Sequence, residues 1–274
     1  MGGKIVVGTD ASGPSRASID WAIARADSLD MAVELIYVID ERWLGIDIAQ
    51  DVEVRDVAEQ VIKTEIARAR PLAQQAIVTG RIVSGRPTQA LMDAAVDADL
   101  LVIGTHKTGF TYGRAFGSRF LSLASLSPCV VAIVPEFADR ARHGVIAAAD
   151  ERVSGSHVLG FAVDEAVRTG QDLVLVSAWD AASLAGRGID RRALTLMEAT
   201  SAARDRDPRV TVRSHISNST MAGALVTASA TASVLVVAKP SGSPDDPALA
   251  IDHDVLANIA SPVIIVGRSA ESLL

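Results

Sequence analysis

An internal repeat is the feature that most constrains the fold of this chain of 274 residues. Pro128, which precedes the run CVVAIV, matches Pro262, which precedes VIIVG, at an offset of 134. Asp10 ends the run KIVVGTD and matches Asp150, which ends GVIAAAD, at an offset of 140. In each half, short apolar runs alternate with segments of helical spacing. This alternation predicts parallel sheets that are covered by helices on both faces.

The repeat predicts an α/β fold with two tandem, doubly wound, five-stranded parallel-sheet domains. We expect domains at 1–136 and 143–274, joined by a short charged linker at 137–142. The apolar runs predict strands at 4–9, 33–39, 77–84, 100–103 and 129–134, and then near 144–149, 172–179, 209–216, 233–238 and 262–267. Helical spacing in the first half predicts helices at 14–29, 52–76, from 87 onward and at 119–126.

The loop after the fourth strand differs sharply in charge between the two halves. Residues 104–120 read GTHKTGFTYGRAFGSRF, with four glycines, three cations and no acid, whereas 238–254 read AKPSGSPDDPALAIDHD, with one glycine, one cation and four acids. A strand, a glycine-rich basic loop and a helix start together favour a phosphate group. The acidic copy repels one. The sequence therefore predicts one anion site, in the first half.

Composition limits the partners and the cellular location that we expect. The net charge of −7 argues against nonspecific nucleic-acid binding, which requires a basic surface. Cys129 is the single cysteine, so an intramolecular disulfide is impossible, and its strand-like surroundings predict a buried apolar residue. We see no signal-peptide region, and the uncharged segment 222–238 is too short to span a bilayer comfortably. We expect a cytoplasmic protein without a membrane or nucleic-acid partner.

Four segments of the chain resemble the universal stress protein family in its tandem, two-domain form. They are the opening KIVVGTDAS, the run IYVIDER at 36–42, the turn SGRP at 84–87 and the loop GTHKTG…GS. The resemblance covers essentially the whole chain. It implies the strand order 3-2-1-4-5 in each half. It also implies ATP binding at a G-x2-G-x9-G-[S/T] motif after the fourth strand.

The motif is matched at its ends but not at its middle glycine. Gly104 and Gly117 stand at the correct spacing, and Ser118 follows. Lys107 occupies the middle position, and the nearest glycine is Gly109. Lysine there would strain a backbone that needs positive φ or close approach, or its ammonium would meet a phosphate directly. Both readings stay open at the level of sequence.

Three further positions complete the candidate site. By resemblance, the Asp10 carboxylate faces the adenine or ribose and the Val38 backbone contacts adenine, while Arg119 is a candidate phosphate partner. The alternatives are that Asp10 caps the helix near Pro14 and that Val38 is simply a core residue. We expect Ser118 to cap the helix over 119–126.

The function that these residues favour is a stress-response protein that binds ATP or another adenine nucleotide in its N-terminal domain, with or without Mg²⁺. The C-terminal domain would be a degenerate packing partner. By resemblance, the terminal strands of the two halves would pair, and a homodimer would form in addition. Two alternatives remain: a scaffold that binds no nucleotide, which Lys107 favours, and a slow nucleotide hydrolase. No residue is assigned a catalytic role, and no metal-ligand spacing is visible.

Overall fold

The computed structural model describes residues 2–45, 48–105, 117–136, 142–149, 157–178, 188–239, 255–256 and 258–267. The chain divides into two compact units. The first unit contains β1 (Lys4–Thr9), α1 (Gly13–Leu29), β2 (Ala32–Asp40), α2 (Ile48–Ala69), β3 (Val78–Gly85), α3 (Pro87–Ala94), β4 (Leu100–Thr105), α4 (Gly117–Leu126) and β5 (Val130–Pro135). The second contains β6 (Val145–Ala148), α5 (His157–Thr169), β7 (Leu173–Ala178), α6 (Gly188–Arg206), β8 (Val212–Ser217), α7 (Met221–Ser229), β9 (Val234–Ala238) and β10 (Val263–Val266).

Each unit is built on a five-stranded parallel sheet. The strand order is β3-β2-β1-β4-β5 in the first unit and β8-β7-β6-β9-β10 in the second, which is the same order counted within each repeat. The neighbouring strands β1–β2, β1–β4, β2–β3 and β4–β5 pair in parallel, as do β6–β7, β6–β9, β7–β8 and β9–β10. The predicted fold class and strand order are therefore confirmed.

The core of each unit lies along its central strands. Ile5, Val6 and Val7 of β1 are fully buried, and every residue of β6, the central strand of the second sheet, is buried. The outer strands β3 and β8 are partly exposed. Central strands covered on both faces must be apolar throughout, whereas an outer strand is not fully covered. This difference explains why the central strands were the easiest elements to recognise in the sequence.

The end of α2 differs from the prediction of a helix that runs to Ala76. The helix ends at Ala69, and a single 3-10 turn covers Arg70–Leu72. Pro71 lacks a backbone N–H and its ring clashes with the preceding helical turn, so the α-helix stops there. The amides of residues 74, 75 and 76 donate instead to the Asp27 carboxylate of α1, at 2.8–3.1 Å.

Two smaller features complete the description of the chain. Cys129 lies just before β5 and is half-buried, so the prediction of a buried strand residue was only partly correct. Arg142, placed in the linker by the sequence, donates hydrogen bonds to the carbonyls of Ser229 and Ala260, so by contact it belongs to the second unit.

None of the helices in the described ranges has the length and apolar character needed to cross a bilayer.

Candidate functional site

The candidate site lies at the carboxyl edge of the first sheet, where the strand order reverses between β1 and β4. Ligands of open α/β sheets bind at such a switch point. The β1–β2 ladder ends with Thr9 opposite Tyr37, so Asp10 and Val38 are the next residues of the two strands. The β1–β4 register pairs Val7 with Val102, which brings Gly104 level with Thr9 when it is continued. Asp10, Val38 and Gly104 therefore converge on one edge from three neighbouring strands.

A tight turn fixes Asp10 at this edge. The backbone N–H of Ser12 donates to Asp10 Oδ1 at 3.0 Å, and the N–H of Ala11 donates to Thr9 Oγ1 at 3.2 Å. Ala11 adopts the left-handed region with φ of 61°, which a residue with a Cβ rarely does. The hydroxyl of Thr9 lies 3.2 Å from that of Ser15, and this pair is buried. Local polar contacts thus hold the Asp10 carboxylate in place.

Asp10 is ionised at neutral pH. Its partial burial by itself raises the pKa of the carboxyl, but hydrogen bonds from Ser12, with a smaller contribution from Ser15, outweigh this effect and lower the pKa below its ordinary value. The side chain is exposed. An exposed carboxylate at a sheet edge is able to accept hydrogen bonds from the N–H or O–H groups of a ligand.

The helix α1 is capped by Ser12 and not by Asp10. Ser12 has extended backbone angles and its hydroxyl accepts a hydrogen bond from the N–H of Ser15 at 3.4 Å, while Pro14 stands in the first turn. This is the usual arrangement of an N-cap residue followed by proline. Capping of α1 therefore does not account for Asp10. The sequence did not predict that the polar residues of this turn, Thr9, Ser12 and Ser15, belong to the site. The only signal was their clustering after a strand.

Val38 is half-buried in β2 and stands opposite Val83 of β3. Its strand continues for two residues to Asp40, whereas β1 has already ended. The backbone of Val38 on the β1 side therefore lies beyond the last paired residue of β1.

Gly104 is required by packing within the fold. A Cβ at this position would lie 2.2 Å from the carbonyl oxygen of Pro14 and 2.7 Å from the nitrogen of Ser15. Such distances are far inside van der Waals contact, so only glycine lets the first turn of α1 lie directly on β4. The close approach served by Gly104 is thus an approach of a helix, which the motif alone did not indicate.

The remaining predicted residues follow β4. The helix α4 begins at Gly117, two residues before the predicted start, so Ser118 and Arg119 lie within its first turn. Ser118 therefore lies inside the helix and is not the residue that precedes it, as the predicted cap would be. The side chains of Ser118 and Arg119 lie outside the description, and so do Lys107 and Gly109 in their entirety.

A cavity of about 530 Å³ adjoins the end of β2. Two ion pairs stand in its wall: Arg42 Nε lies 3.0 Å from each carboxylate oxygen of Asp40, and Arg86 Nε lies 3.1 Å from Glu41 Oε1. Asp40 and Val38 lie on the same face of β2, since side chains alternate along a strand. The sequence offered these residues only as parts of IYVIDER and SGRP, without a role. The residues that line the cavity are Asp40, Glu41, Arg42, Arg86, Pro87, Thr88, Gln89, Met92, Ser122 and Leu126.

Comparison with known proteins agrees with this architecture. A universal stress protein from Mycobacterium tuberculosis is 27% identical over 199 residues, which span 64% of this chain and 62% of that protein. The chain thus matches less than two thirds of that relative's length. The crystal structure of a universal stress protein from Archaeoglobus fulgidus covers 97% of this chain and 98% of its own, with 18% identity and a TM-score of 0.76.

Solved structures of shorter proteins match about half of the chain. One of these, a universal stress protein in complex with cAMP, is 26% identical and covers 49% of this chain, with a TM-score of 0.38. The model of the universal stress protein family matches residues 1–135, the half that carries Asp10, Val38 and Gly104. The family model, together with the strand order of the first unit, shows that this half of the chain belongs to the universal stress protein family.

Proposed function

We propose that the N-terminal half binds an adenine nucleotide, ATP in the first instance, and that the C-terminal half is a packing partner without a nucleotide site of its own. One observation carries the proposal. The ionised carboxylate of Asp10 and the backbone of Val38 stand at the ends of neighbouring strands, at the switch point of the first sheet beside β4. This is the place where parallel sheets of this topology hold nucleotides.

The residues supply complementary groups for the two ends of a nucleotide. At the base end, Asp10 accepts a hydrogen bond from the adenine amino group or a ribose hydroxyl, and Val38 offers backbone groups. At the phosphate end, the first turn of α4 offers the backbone N–H groups of Gly117, Ser118 and Arg119, which have no partner within the helix. A basic loop with no acid strengthens this end.

Lys107 and Gly109 belong to the phosphate end by their place in the sequence. We assign to Lys107 a direct contact between its ammonium and a phosphate, in place of the close backbone approach that a glycine would give. Any Mg²⁺ would accompany the phosphates, whose charge it neutralises when bound. The chain's own contribution in this proposal is to hold the nucleotide.

The adjoining cavity supports a ligand at this end of the sheet. Its volume of about 530 Å³ falls within the usual range of roughly 300–1,000 Å³ for sites that take small molecules. The ion pairs in its wall offer both donors and acceptors at the end of β2. A scaffold that acts through protein contacts alone is the second candidate, and the observation that favours it is the lysine at the motif's middle position.

Isothermal titration calorimetry with ATP and Mg²⁺ tests the proposal on three proteins: the intact chain, Lys107→Gly and Asp10→Asn. We expect micromolar binding to the intact chain with one site per chain, and roughly tenfold weaker binding to Asp10→Asn, because one charge-assisted hydrogen bond is lost. Asp97→Asn, an exposed carboxylate at the opposite end of the strands, is the matched control and should bind as the intact chain does.

The Lys107→Gly variant separates the two roles of the lysine. Weaker binding by this variant supports a phosphate contact. If only this variant binds, the loop is a nucleotide site that the lysine closes. If none of the proteins binds ATP, AMP or cAMP, the nucleotide proposal is wrong and the scaffold function takes its place.

A further inference from the structure

The repeat allows each position of the first unit to be matched with one in the second. Ile5 pairs with Val33 in the first sheet, and Val145 pairs with Leu173 in the second, an offset of 140 on both strands. Val38 therefore corresponds to Ala178. The helices that follow, α2 and α6, begin at Ile48 and Gly188, again 140 apart. Their fifth residues are Val52 and Arg192.

In the second unit, the fifth residue of α6 reaches back to the sheet edge. Arg192 Nη1 donates a hydrogen bond to the carbonyl oxygen of Ala178. The N–H of Ala149 donates to the carbonyl of Val176 at 2.7 Å, so that carbonyl faces β6. Carbonyls two residues apart on a strand point the same way, so the Ala178 carbonyl also faces the β6 side, beyond the last β6 residue in the ladder. Arg192 occupies the place where the sheet edge would otherwise meet a ligand.

In the first unit, the matching residue does not reach the matching carbonyl. Val52 carries no hydrogen-bond donor on its side chain and is too short to span the distance that an arginine side chain spans. It is 53% exposed. It also stands in the first turns of α2, where no described side chain is buried before Ala58. Within the described part of α2, no side chain thus takes the place at the Val38 edge that Arg192 takes in the second unit.

We propose that Arg192 is a built-in substitute for the nucleobase, which closes the second unit to nucleotides, and that Val52 lies over the base in the first unit. The inference rests on the proposed nucleotide function. A guanidinium is flat and presents N–H donors, as the amino edge of adenine does, so it satisfies the same strand carbonyl. The chain therefore binds one nucleotide, because one of two equivalent edges is already occupied by the protein itself.

Moving the arginine to the first unit tests this assignment directly. Val52→Arg should weaken ATP binding by about tenfold or more in calorimetry, because the introduced guanidinium competes for the Val38 carbonyl. Val57→Arg is the matched control: it stands on the same helix, has the same 53% exposure and adds the same charge. It should stay within about twofold of the intact chain. Equal affinities of the two variants, or two ATP molecules bound per intact chain, would overturn the inference.

A second readout keeps the test independent of nucleotide binding. If the intact chain binds no nucleotide, the proposed function fails, but the substitution still predicts a difference in melting temperature. Without ligand, Val52→Arg should melt about 2 °C or more above Val57→Arg, since only the former gains a hydrogen bond to the sheet edge. A melting temperature of Val52→Arg at or below that of the control contradicts the assignment.

Discussion

Asp10 is a carboxylate whose ionised form is stabilised by hydrogen bonds within its own turn. Hydrogen bonds from Ser12 and Ser15 lower its pKa against the opposing effect of burial. A lowered folded pKa means that the ionised form stabilises the fold at every pH above the unfolded value of about 3.9. That contribution is lost as pH falls through the folded pKa.

We therefore expect Asp10→Asn to lower the free energy of unfolding by about 0.5–1 kcal/mol at pH 7, a modest figure because the side chain is exposed. Urea unfolding of the variant and the intact protein from pH 7 to pH 3 provides the measurement. The gap between the two should be constant above about pH 5 and shrink below pH 4. A gap that widens in acid would show that the carboxylate is not held in its ionised form.

Gly104 is required by the packing of α1 against β4 and not only by the motif. We expect Gly104→Ala to cost about 1–3 kcal/mol or more, because its Cβ would meet the rigid backbone of Pro14 at 2.2 Å. Thermal unfolding of the variant tests this. Gly223→Ala is the control, since the nearest atom to its Cβ is Thr220 Oγ1 at 3.3 Å, and helix α7 favours alanine. Comparable losses in both variants would refute the clash.

At the scale of elements, one carboxylate fixes the turn between α2 and β3. Burial raises the pKa of Asp27, but the three amides of residues 74–76 that donate to it more than compensate, and the pKa is lowered. The contacts tie the turn before β3 to α1, 47 residues away at their closest in sequence. The start of β3 therefore depends on a contact with α1, the helix that precedes β2 in the chain.

Asp27→Ala should destabilise the protein by about 1–2 kcal/mol, as the loss of a helix cap does, since it leaves several amides without their acceptor. Chemical denaturation at pH 7 measures the loss, and Asp97→Ala, also a surface aspartate, serves as the control. Because the folded pKa of Asp27 is lowered, the difference between intact protein and variant should persist at neutral pH and diminish below about pH 4. A variant as stable as the control would mean that the turn holds without Asp27.

At the scale of the whole molecule, the two units share one strand order but differ at their edges. The first presents Asp10, Val38 and Gly104, whereas the second has Ala238 in place of the glycine and Arg192 bound to Ala178. A ligand that contacts one edge stabilises the unit that holds it by mass action. The response to a nucleotide should therefore be asymmetric.

Hydrogen–deuterium exchange with and without saturating ATP makes this asymmetry measurable. We expect slower exchange in peptides that cover the ends of β1, β2 and β4 and the start of α4. Peptides from β6, β7 and β9 should exchange at the same rate in both conditions. Protection of the same magnitude in both units would contradict a single site.

The sequence by itself determined the architecture of both units. Apolar runs of strand length, buried on both faces, predict central parallel strands, and their repetition at offsets of 134 and 140 predicts two copies. The same pattern placed Asp10 at the end of the first strand, and the family resemblance added Val38 of the second strand to the same edge. These features depend on local periodicity, which is written along the chain.

Only the tertiary structure decided which groups meet at that edge and why. The Asp27 contact that fixes the turn before β3, the first turn of α1 resting on Gly104, and the Arg192 hydrogen bond to Ala178 each join separate elements. Their partners are chosen by how helices dock on the sheets, and that docking depends on the shape of the whole packed surface. A one-dimensional pattern records which residues are apolar and not which backbone atom a distant side chain will reach.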